Sequence, residues 1–336
     1  MNPLTSLYGA AIALRNTLFD RGVLASRRLE QPVISVGNLS AGGAGKTPFV
    51  IALGELLKAR GIRFAVLSRG YGRKTRGVRV VDPDGNARDF GDEPLLIARR
   101  LGVPVIVGEN RYAAGRAAER EFQPQLHILD DGFQHRSLAR DFDIVLMTER
   151  DYYDRLLPSG RLREPLSSLA RADALVLPAG LTVDHPTSRR DAACRVSLAA
   201  LQQKPIWRIA RELVLPTLPS APVVFCGIAR PEQFFAQVRA AGIVPAAEVI
   251  FRDHHAYDRR DIERLLATRN RLGAGGFLTT EKDAVNLGGL QAQLEPLAIA
   301  KLTITLDHPA DVVDAILART IFTRIGKPEA PIVRKS

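Results

Sequence analysis

The sequence predicts an α/β fold, with a mostly parallel sheet flanked by helices and a second, smaller α/β domain after it. Short apolar runs rich in β-branched residues alternate with segments of helical periodicity through most of the 336 residues. A glycine-rich turn lies between the first apolar run and the helical segment after it. A stretch rich in proline at 206–221 separates two series of this alternation, which predicts one domain at 31–205 and another at 222–325.

The N-terminal segment, residues 1–30, predicts an amphipathic helix. It is too short in apolar length to span a bilayer, and it lacks the features of a secretory signal. Two interpretations stay open from the residues alone: a helix packed on the domain, or a helix lying in the plane of a membrane surface. The apolar positions at helical spacing are Leu4, Leu7, Tyr8, Ala11, Ile12, Leu18 and Phe19, with arginines interrupting them.

The elements of both domains follow from the same periodicities. In the larger domain, strands are expected at 32–37, 63–68, 78–82, 104–108, 125–130, 143–148 and 174–178, with helices at 47–60, 93–101 and 111–121. The connection at 206–221 is expected to hold two short extended runs broken by prolines. The smaller domain is expected to have strands near 223–228, 244–251, 277–280 and 301–306, helices near 231–241, 258–268 and 310–321, and then a basic tail at 326–336.

The glycine-rich turn is a phosphate-binding loop, which makes the larger domain P-loop NTPase-like. Small residues let backbone N–H groups converge on phosphate oxygens, Lys46 can reach the β and γ phosphates, and Thr47 can offer its hydroxyl to Mg²⁺. Ser40 stands where the general motif has glycine. A nucleoside triphosphate is the expected ligand, bound by Ser40, Ala41, Gly42, Gly43, Ala44, Gly45, Lys46 and Thr47.

Three acidic clusters are further candidates for chemistry. Asp130 and Asp131 end an apolar strand, where a carboxylate can hold Mg²⁺ beside the phosphate loop, although Asp-Asp-Gly is also good turn chemistry. Asp92, before Glu93 and Pro94, reads as a helix cap from its spacing, or as a base for an attacking hydroxyl. The third cluster holds Asp253, His254 and His255; adjacent histidines point in different directions, so a shared metal site is not expected.

Composition narrows the class of partner. The net charge of +11 suits nucleic acid, an anionic membrane face or a phosphorylated substrate, but no motif for binding RNA or DNA accompanies it, so nucleic acid is not an expected partner. Two cysteines far apart indicate neither a disulfide framework nor a zinc site. Arginines in glycine-rich segments after strands, such as Arg69 and Arg73, are well placed to meet phosphate.

Two other nucleotide-binding classes are not supported by the residues. Partitioning and metal-insertion ATPases have a lysine just before the paired glycines, and Ala41 occupies that position here. A GTPase would show Asn or Thr, then Lys, one residue and Asp, but Thr280-Glu281-Lys282-Asp283 has those letters in the wrong spacing. Guanine specificity is therefore not indicated.

Eight short motifs, taken in order, resemble the tetraacyldisaccharide 4'-kinase family, the lipid A 4'-kinases of Gram-negative bacteria. Each motif alone is weak, whereas the ordered set from about residue 30 to 286 is specific, and Ser40 belongs to this family's form of the loop. The motifs are VGNLSAGGAGKTP, SRGYGR, GDEP, VGENRY, DDGFQH, LREP, DHH and TTEKD.

The resemblance implies transfer of the γ-phosphoryl group of ATP, with Mg²⁺, to the 4'-hydroxyl of an acylated glucosamine disaccharide 1-phosphate. The product would be lipid IVA, made at the cytoplasmic face of the inner membrane by a peripheral enzyme whose N-terminal helix associates with the lipid surface. A soluble small-molecule P-loop kinase and a regulatory ATPase are the alternative classes, and the substrate separates them.

The resemblance also assigns residues. Asp92 would be the base, paired with His254 across the cleft between the domains. Lys46 and Thr47 would serve phosphate and Mg²⁺, while Asp130 and Asp131 would belong to the metal and catalytic centre. The residues expected near the lipid acceptor are Tyr71, Glu93, Arg111, Gln134, His135, Arg163 and Glu164.

Overall fold

The computed structural model describes residues 3–181 and 204–325, with side chains through residue 320. Its strands are β1 (Val33–Asn38), β2 (Phe64–Ser68), β3 (Arg79–Val80), β4 (Val105–Val107), β5 (Leu126–Asp130), β6 (Phe142–Leu146), β7 (Ala174–Pro178), β8 (Ile206–Val214), β9 (Val223–Cys226), β10 (Ala247–Ile250), β11 (Phe277–Thr280) and β12 (Leu297–Leu306). The predicted basic tail at 326–336 lies outside the described residues.

The α-helices surround this set of strands. They are α1 (Pro3–Asp20), α2 (Lys46–Ala59), α3 (Ala87–Phe90), α4 (Asp92–Leu101), α5 (Arg111–Phe122), α6 (Pro231–Ala240), α7 (Arg259–Leu272), α8 (Glu281–Leu287) and α9 (Pro309–Ile325). All seven strands expected in the larger domain are present, although the one expected at 78–82 is only the two-residue edge strand β3. The short helices α3 and α8 were not expected, because four to seven residues carry too little periodicity to read.

The twelve strands of the described chain form one sheet, in the order β10-β9-β11-β12-β8-β7-β6-β1-β5-β2-β4-β3. Two neighbouring pairs are antiparallel, β12 with β8 and β3 with β4, and the others are parallel. The mostly parallel α/β fold class is therefore confirmed. Crossover helices cover the sheet, as parallel connections require.

Strand β8 differs from the expectation for the connection at 206–221. The expected short runs form a single nine-residue strand, because Pro205 and Pro216 flank it rather than interrupt it. It pairs with β7 on one side and β12 on the other, so it joins the sheets of both halves. The division into two domains stays a prediction about folding units.

The main hydrophobic core lies between the sheet and the helices α2 and α4. Ile34, Phe49 and Leu95 are fully buried in it. The last helix, α9, packs on the same cluster through Val312 and Ile316, although it follows the second half in sequence. Helix α9 therefore fastens the end of the described chain to the first half.

The carboxyl ends of β1, β5 and β2 lie side by side, because β5 pairs with both of the other strands. The phosphate loop follows β1, Asp130 ends β5 and Ser68 ends β2. In an open parallel sheet this edge is where ligands bind. The topology therefore brings the predicted donor-site residues to one place.

Candidate functional site

The phosphate loop turns through three glycines in the left-handed region. Gly42, Gly43 and Gly45 have φ values of 77°, 57° and 81°, which side chains rarely adopt. Gly45 is also the N-cap of α2, so the first amides of that helix face the loop. The start of the loop is held by the backbone hydrogen bond from Ala41 N to Arg161 O, at 2.8 Å. The backbone thus has the shape that an anion-binding loop requires.

Lys46, at the end of this loop, forms an ion pair with Asp131, which follows β5. Lys46 Nζ donates to Asn38 Oδ1 at 3.0 Å and lies 3.3 Å from Asp131 Oδ1. Arg163 binds Asp131 with both terminal nitrogens, at 3.0 and 2.8 Å, and also donates to Asn38. Desolvation in the cleft acts to raise the pKa of Asp131, but Lys46 and Arg163 outweigh it and hold that pKa well below its usual range. Asp131 is therefore an anion that positions two cations.

Asp130 has a different environment from its neighbour. Its Oδ2 accepts a hydrogen bond from Ser68 at 3.1 Å, while its Oδ1 is buried with no partner among the described residues. Burial, together with the charges of Glu93 and Asp131, raises the pKa of Asp130 to about 7. A buried carboxylate oxygen without a donor is well suited to a cation. The two aspartates thus separate into a candidate cation ligand and a partner of Lys46.

Asp92 and His254 form an ion pair across the cleft. His254 Nδ1 lies 2.8 Å from Asp92 Oδ2 and 3.1 Å from Oδ1, and Asp92 is only 4% exposed. Burial alone would raise the pKa of Asp92, but His254, Lys282 and Asn286 together hold it below its ordinary value. Burial would lower the pKa of His254, and Asp92 overcomes that and raises it. Gly91, not Asp92, is the N-cap of α4, but Asp92 is the first residue of that helix and its Oδ1 accepts the Glu93 amide at 2.9 Å, so one carboxylate both starts the helix and pairs with His254.

Lys282 and Asn286 complete the surroundings of this pair. Lys282 belongs to the TTEKD motif, but neither residue was among the predicted site residues. Lys282 Nζ lies 3.2 Å from His254 Nε2, 3.1 Å from Asp253 and 3.8 Å from Asp92. Asn286 donates to Asp92 Oδ2 at 3.1 Å. When neutral with its proton on Nδ1, His254 donates to Asp92 and accepts from Lys282. When protonated, His254 forms the ion pair with Asp92, and the charge of Lys282 opposes that form. Helix α8 thereby orients the pair from the second half.

The loop that carries His254 is held in a strained conformation. His254 has a φ of 56°, uncommon for a residue with a side chain, and its N–H donates to Gly227 O. The buried carboxylate of Asp283 accepts from Gly227 N at 2.7 Å and from the Tyr257 hydroxyl at 2.8 Å. Asp283 therefore fixes the two loops that place His254.

The neighbouring histidine does not share a ligand with His254. His255 Nε2 lies 2.7 Å from Asp261, and its ring stacks on Phe251 with centroids 4.8 Å apart. The structure thus agrees with the expectation that the two adjacent rings point apart. Among the described residues, no group of three or more His, Cys, Asp or Glu side chains could hold a metal ion.

Four of the seven predicted acceptor residues fall into two groups. Tyr71 and Glu93 lie beside the Asp92–His254 pair: the Tyr71 ring is 5.2 Å from that of His254, and Glu93 lies 3.9 Å from Lys282. Arg111 and His135 are close enough that the charge of Arg111 acts on the pKa of His135, and the charges of Asp130 and Asp131 act on that of Arg111. Burial and Arg69 lower the pKa of Arg111 to about 10, and burial with the nearby arginines lowers that of His135 to about 4. His135 is thus neutral at pH 7 within a cationic pocket.

Gln134 and Glu164 connect the cleft to helix α1. Gln134 donates from Nε2 to Asn38 O at 3.0 Å, and its own backbone oxygen accepts from Arg15 at 2.6 Å. Glu164 is fully buried and accepts from Asn16 and Arg171 at 3.0 and 2.8 Å. These contacts make Glu164 a link to α1. Helix α1 therefore packs against the site through its polar face.

The opposite face of α1 is apolar and open to solvent. Leu4, Leu7 and Leu14 are 60%, 69% and 61% exposed, and α1 has no buried residue. None of the described helices is long and apolar enough to cross a membrane. The polar contacts agree with a helix packed on the domain, and the membrane-surface interpretation of the N-terminal segment stays a prediction.

Comparisons with known proteins give a consistent result. A family model described as tetraacyldisaccharide-1-P 4'-kinase matches residues 1–321. A tetraacyldisaccharide 4'-kinase of Koribacter versatilis is 46% identical over 329 residues, covering 94% of this chain and 98% of the relative. The Aquifex aeolicus relative is 39% identical over 302 residues, covering 86% and 90%. The crystal structure of LpxK from Aquifex aeolicus in complex with ATP has a TM-score of 0.75 at 34% identity, covering 95% of this chain and 98% of that one.

Proposed function

The chain belongs to the tetraacyldisaccharide 1-phosphate 4'-kinase family, and we propose that its cleft transfers the γ-phosphoryl group of ATP to the 4'-hydroxyl of the acylated disaccharide 1-phosphate. The product is the lipid A precursor lipid IVA. The observation that carries the assignment of roles is the Asp92–His254 pair next to the phosphate loop. Glu93 connects the two, because its carboxylate interacts with Lys282 on one side and Lys46 on the other.

The donor half of the site neutralises phosphate charge. The loop amides and Lys46 bind the phosphates of ATP, and Asp131 with Asn38 holds the ammonium group in place. Phosphoryl transfer depends mostly on alignment and electrostatic stabilisation, so a fixed cation at this point lowers the barrier. Arg163 anchors the same carboxylate.

The residues present fit a magnesium ion bound mainly through nucleotide oxygens and water. Asp130 Oδ1 is a buried oxygen without a donor, and the Thr47 hydroxyl stands at the start of α2. The described residues provide no all-protein cage, which agrees with the preference of Mg²⁺ for a few carboxylates plus phosphate and water. Held by Asp130 and Thr47, Mg²⁺ would supply positive charge that neutralises the phosphates.

The acceptor half of the site removes a proton. Asp92 is held ionised below its ordinary pKa and accepts the proton of the attacking hydroxyl, while His254, Lys282 and Asn286 fix its orientation. General base catalysis of this kind contributes about 10²- to 10⁴-fold to the rate. The cationic pocket of Arg69 and Arg111 would bind acidic or hydroxyl groups of the acceptor.

Helix α1 would hold the active site at the membrane surface where the lipid substrate lies. Leucines on the outward face can enter the headgroup boundary, and the arginines of residues 1–30 can meet anionic headgroups. We place the enzyme peripherally on the cytoplasmic face of the inner membrane. The acyl chains of the substrate would remain near that surface while its sugar enters the cleft.

A transfer assay tests this function. The purified protein is incubated with γ-labelled ATP, Mg²⁺ and the acylated disaccharide 1-phosphate, and with a soluble disaccharide as the matched acceptor. Label in the lipid product, with little in the soluble sugar, is the expected result. Label found only in free phosphate would contradict the kinase activity. Equal labelling of the soluble sugar and the lipid would favour a small-molecule kinase.

A further inference from the structure

Two arginines from beyond the larger domain lie directly against the phosphate loop. Arg211, on β8, donates from Nη2 to the Ala44 carbonyl oxygen at 2.6 Å. A β-carbon placed on Gly45 would come within 2.8 Å of Arg211 Nη2, and one placed on Gly43 within 2.9 Å of Arg230 Nε. Arg230 is the N-cap of α6, in the second half of the sheet. Both guanidinium groups therefore touch the backbone that receives the phosphates.

Several donor atoms in this region have no acceptor. Arg211 Nε, Arg230 Nη2 and Arg161 Nη2 are buried, and none has a hydrogen-bond partner among the described residues. Arg161 belongs to the same place, because its carbonyl oxygen accepts the Ala41 amide at the start of the loop. Buried donors normally find partners, so three such atoms around one loop indicate a ligand with several acceptor oxygens.

The local charge points to an anionic ligand. Burial and the charge of Arg230 lower the pKa of Arg211; burial and the charges of Arg161 and Arg150 lower that of Arg230. Two carboxylates act on this cluster: Asp151, one of whose oxygens already accepts the Thr148 amide and hydroxyl, and Asp154, which accepts from Arg161 Nε at 3.0 Å. The guanidinium groups thus outnumber the carboxylates that could neutralise them.

We propose that Arg211, Arg230 and Arg161 form an anion subsite that binds the phosphate chain of the nucleotide, in addition to Lys46 and the loop amides. Forked guanidinium donors match phosphate oxygens, which accept several hydrogen bonds at once. The proposal rests on ATP being the donor. It adds contacts from β8 and α6 to those of the loop, so the phosphates join both halves of the sheet.

Equilibrium binding to the full chain tests the subsite. Dissociation constants are measured by calorimetry for ATP, inorganic tripolyphosphate and adenosine, with Arg230→Gln and Arg211→Gln compared with the wild type. Each variant is expected to bind ATP and tripolyphosphate about tenfold more weakly, the effect of losing one charge-assisted contact, and adenosine equally well. Arg239→Gln is the matched control, since it removes a charge from the same helix at an exposed ion pair with Glu248.

Other outcomes would overturn the subsite. Tripolyphosphate binding within twofold of wild type in Arg230→Gln would show that the guanidinium only supports the loop, and weakening limited to adenosine would place it on the nucleoside. If Arg211→Gln melts below the assay temperature, Arg230→Gln decides alone. The kinase assay is separate: a wild type that binds tripolyphosphate but labels no lipid contradicts the function and leaves the subsite standing.

Discussion

Replacing Lys282 by methionine should slow phosphoryl transfer and move its pH dependence. The Lys282 side chain is 18% exposed, and its ammonium group lies within 4 Å of Asp92, Glu93 and Asp253, at 3.8, 3.9 and 3.1 Å. Methionine fills a similar volume without charge. The substitution would leave three carboxylates close together and remove the donor to His254 Nε2.

The size of the effect follows from these distances. Two unit charges about 4 Å apart interact by about 4 kcal/mol at an effective dielectric constant near 20. Water and relaxation screen part of this, which leaves about 1.5–3 kcal/mol, the range of a charge-assisted hydrogen bond. One pKa unit corresponds to about 1.4 kcal/mol, so the pKa of Asp92 should rise by about 1–2 units. Misorientation of His254 should also lower kcat about 10- to 100-fold.

The assay is the initial rate against pH at saturating ATP and acceptor. The acid limb of kcat should shift upward by about 1–2 pH units in Lys282→Met, while Lys282→Arg should recover much of the rate because it keeps the charge. Lys301→Met, on an exposed position of β12, is the control for general loss of a lysine. A kcat within twofold of wild type and an unmoved acid limb would refute the orienting role of Lys282.

Three further predictions concern other parts of the site. Because the pKa of Asp130 is about 7, its ionised fraction rises about tenfold from pH 6 to 8, so the Mg²⁺ concentration that half-saturates the rate should fall about tenfold. The same Mg²⁺ titration of Asp130→Asn should not show this dependence on pH. His254 has a raised pKa and Asp92 a lowered one, so their stabilisation is full between their unfolded values, about 4 and 6.5. The difference in melting temperature between the wild type and His254→Gln should be largest at pH 5–6 and should become smaller by pH 9, because His254 deprotonates. A difference that stays constant with pH would contradict the pairing. Leu7→Glu should weaken binding to anionic vesicles about 30-fold in sedimentation, and Ser6→Glu, on a different face of α1, should change it little.

Much of the donor site can be predicted from sequence because its signals are local. The phosphate loop lies within eight consecutive residues, and Asp130 ends a strand that the apolar pattern identifies. The sheet edge then follows from the rule that parallel strands place their carboxyl ends together. The strands of the larger domain could also be predicted, because the apolar runs that identify them are local.

The acceptor side depends on long-range contacts that no local pattern encodes. Asn286 reaches Asp92 across 194 positions of the chain, and Lys282 acts from the seven-residue helix α8. Asp131 and His254 both have positive φ values, and the partners that hold them, Arg163 for Asp131 and Gly227 for His254, are distant in the sequence. Resemblance to a family could name His254, but only the fold shows what holds it.

The local sequence also did not predict that one sheet runs through both halves of the chain. Strand β8 alternates partly buried and exposed positions at its outer end, and prolines lie close on both sides, so it resembles a linker. Pairing with β7 and β12 makes it a central strand. That placement is what brings Arg211 to the phosphate loop.

Single-turnover transfer by Asp92→Asn tests the central claim most directly, that Asp92 takes the proton of the lipid hydroxyl beside the phosphate loop. Enzyme in excess is mixed with γ-labelled ATP and the acylated disaccharide 1-phosphate, and ATP affinity is measured on the same preparation. The rate of lipid labelling should fall about 10²- to 10⁴-fold while the Kd for ATP stays within about threefold. A variant that labels the lipid at nearly the wild-type rate would show that another group, or none, accepts the proton.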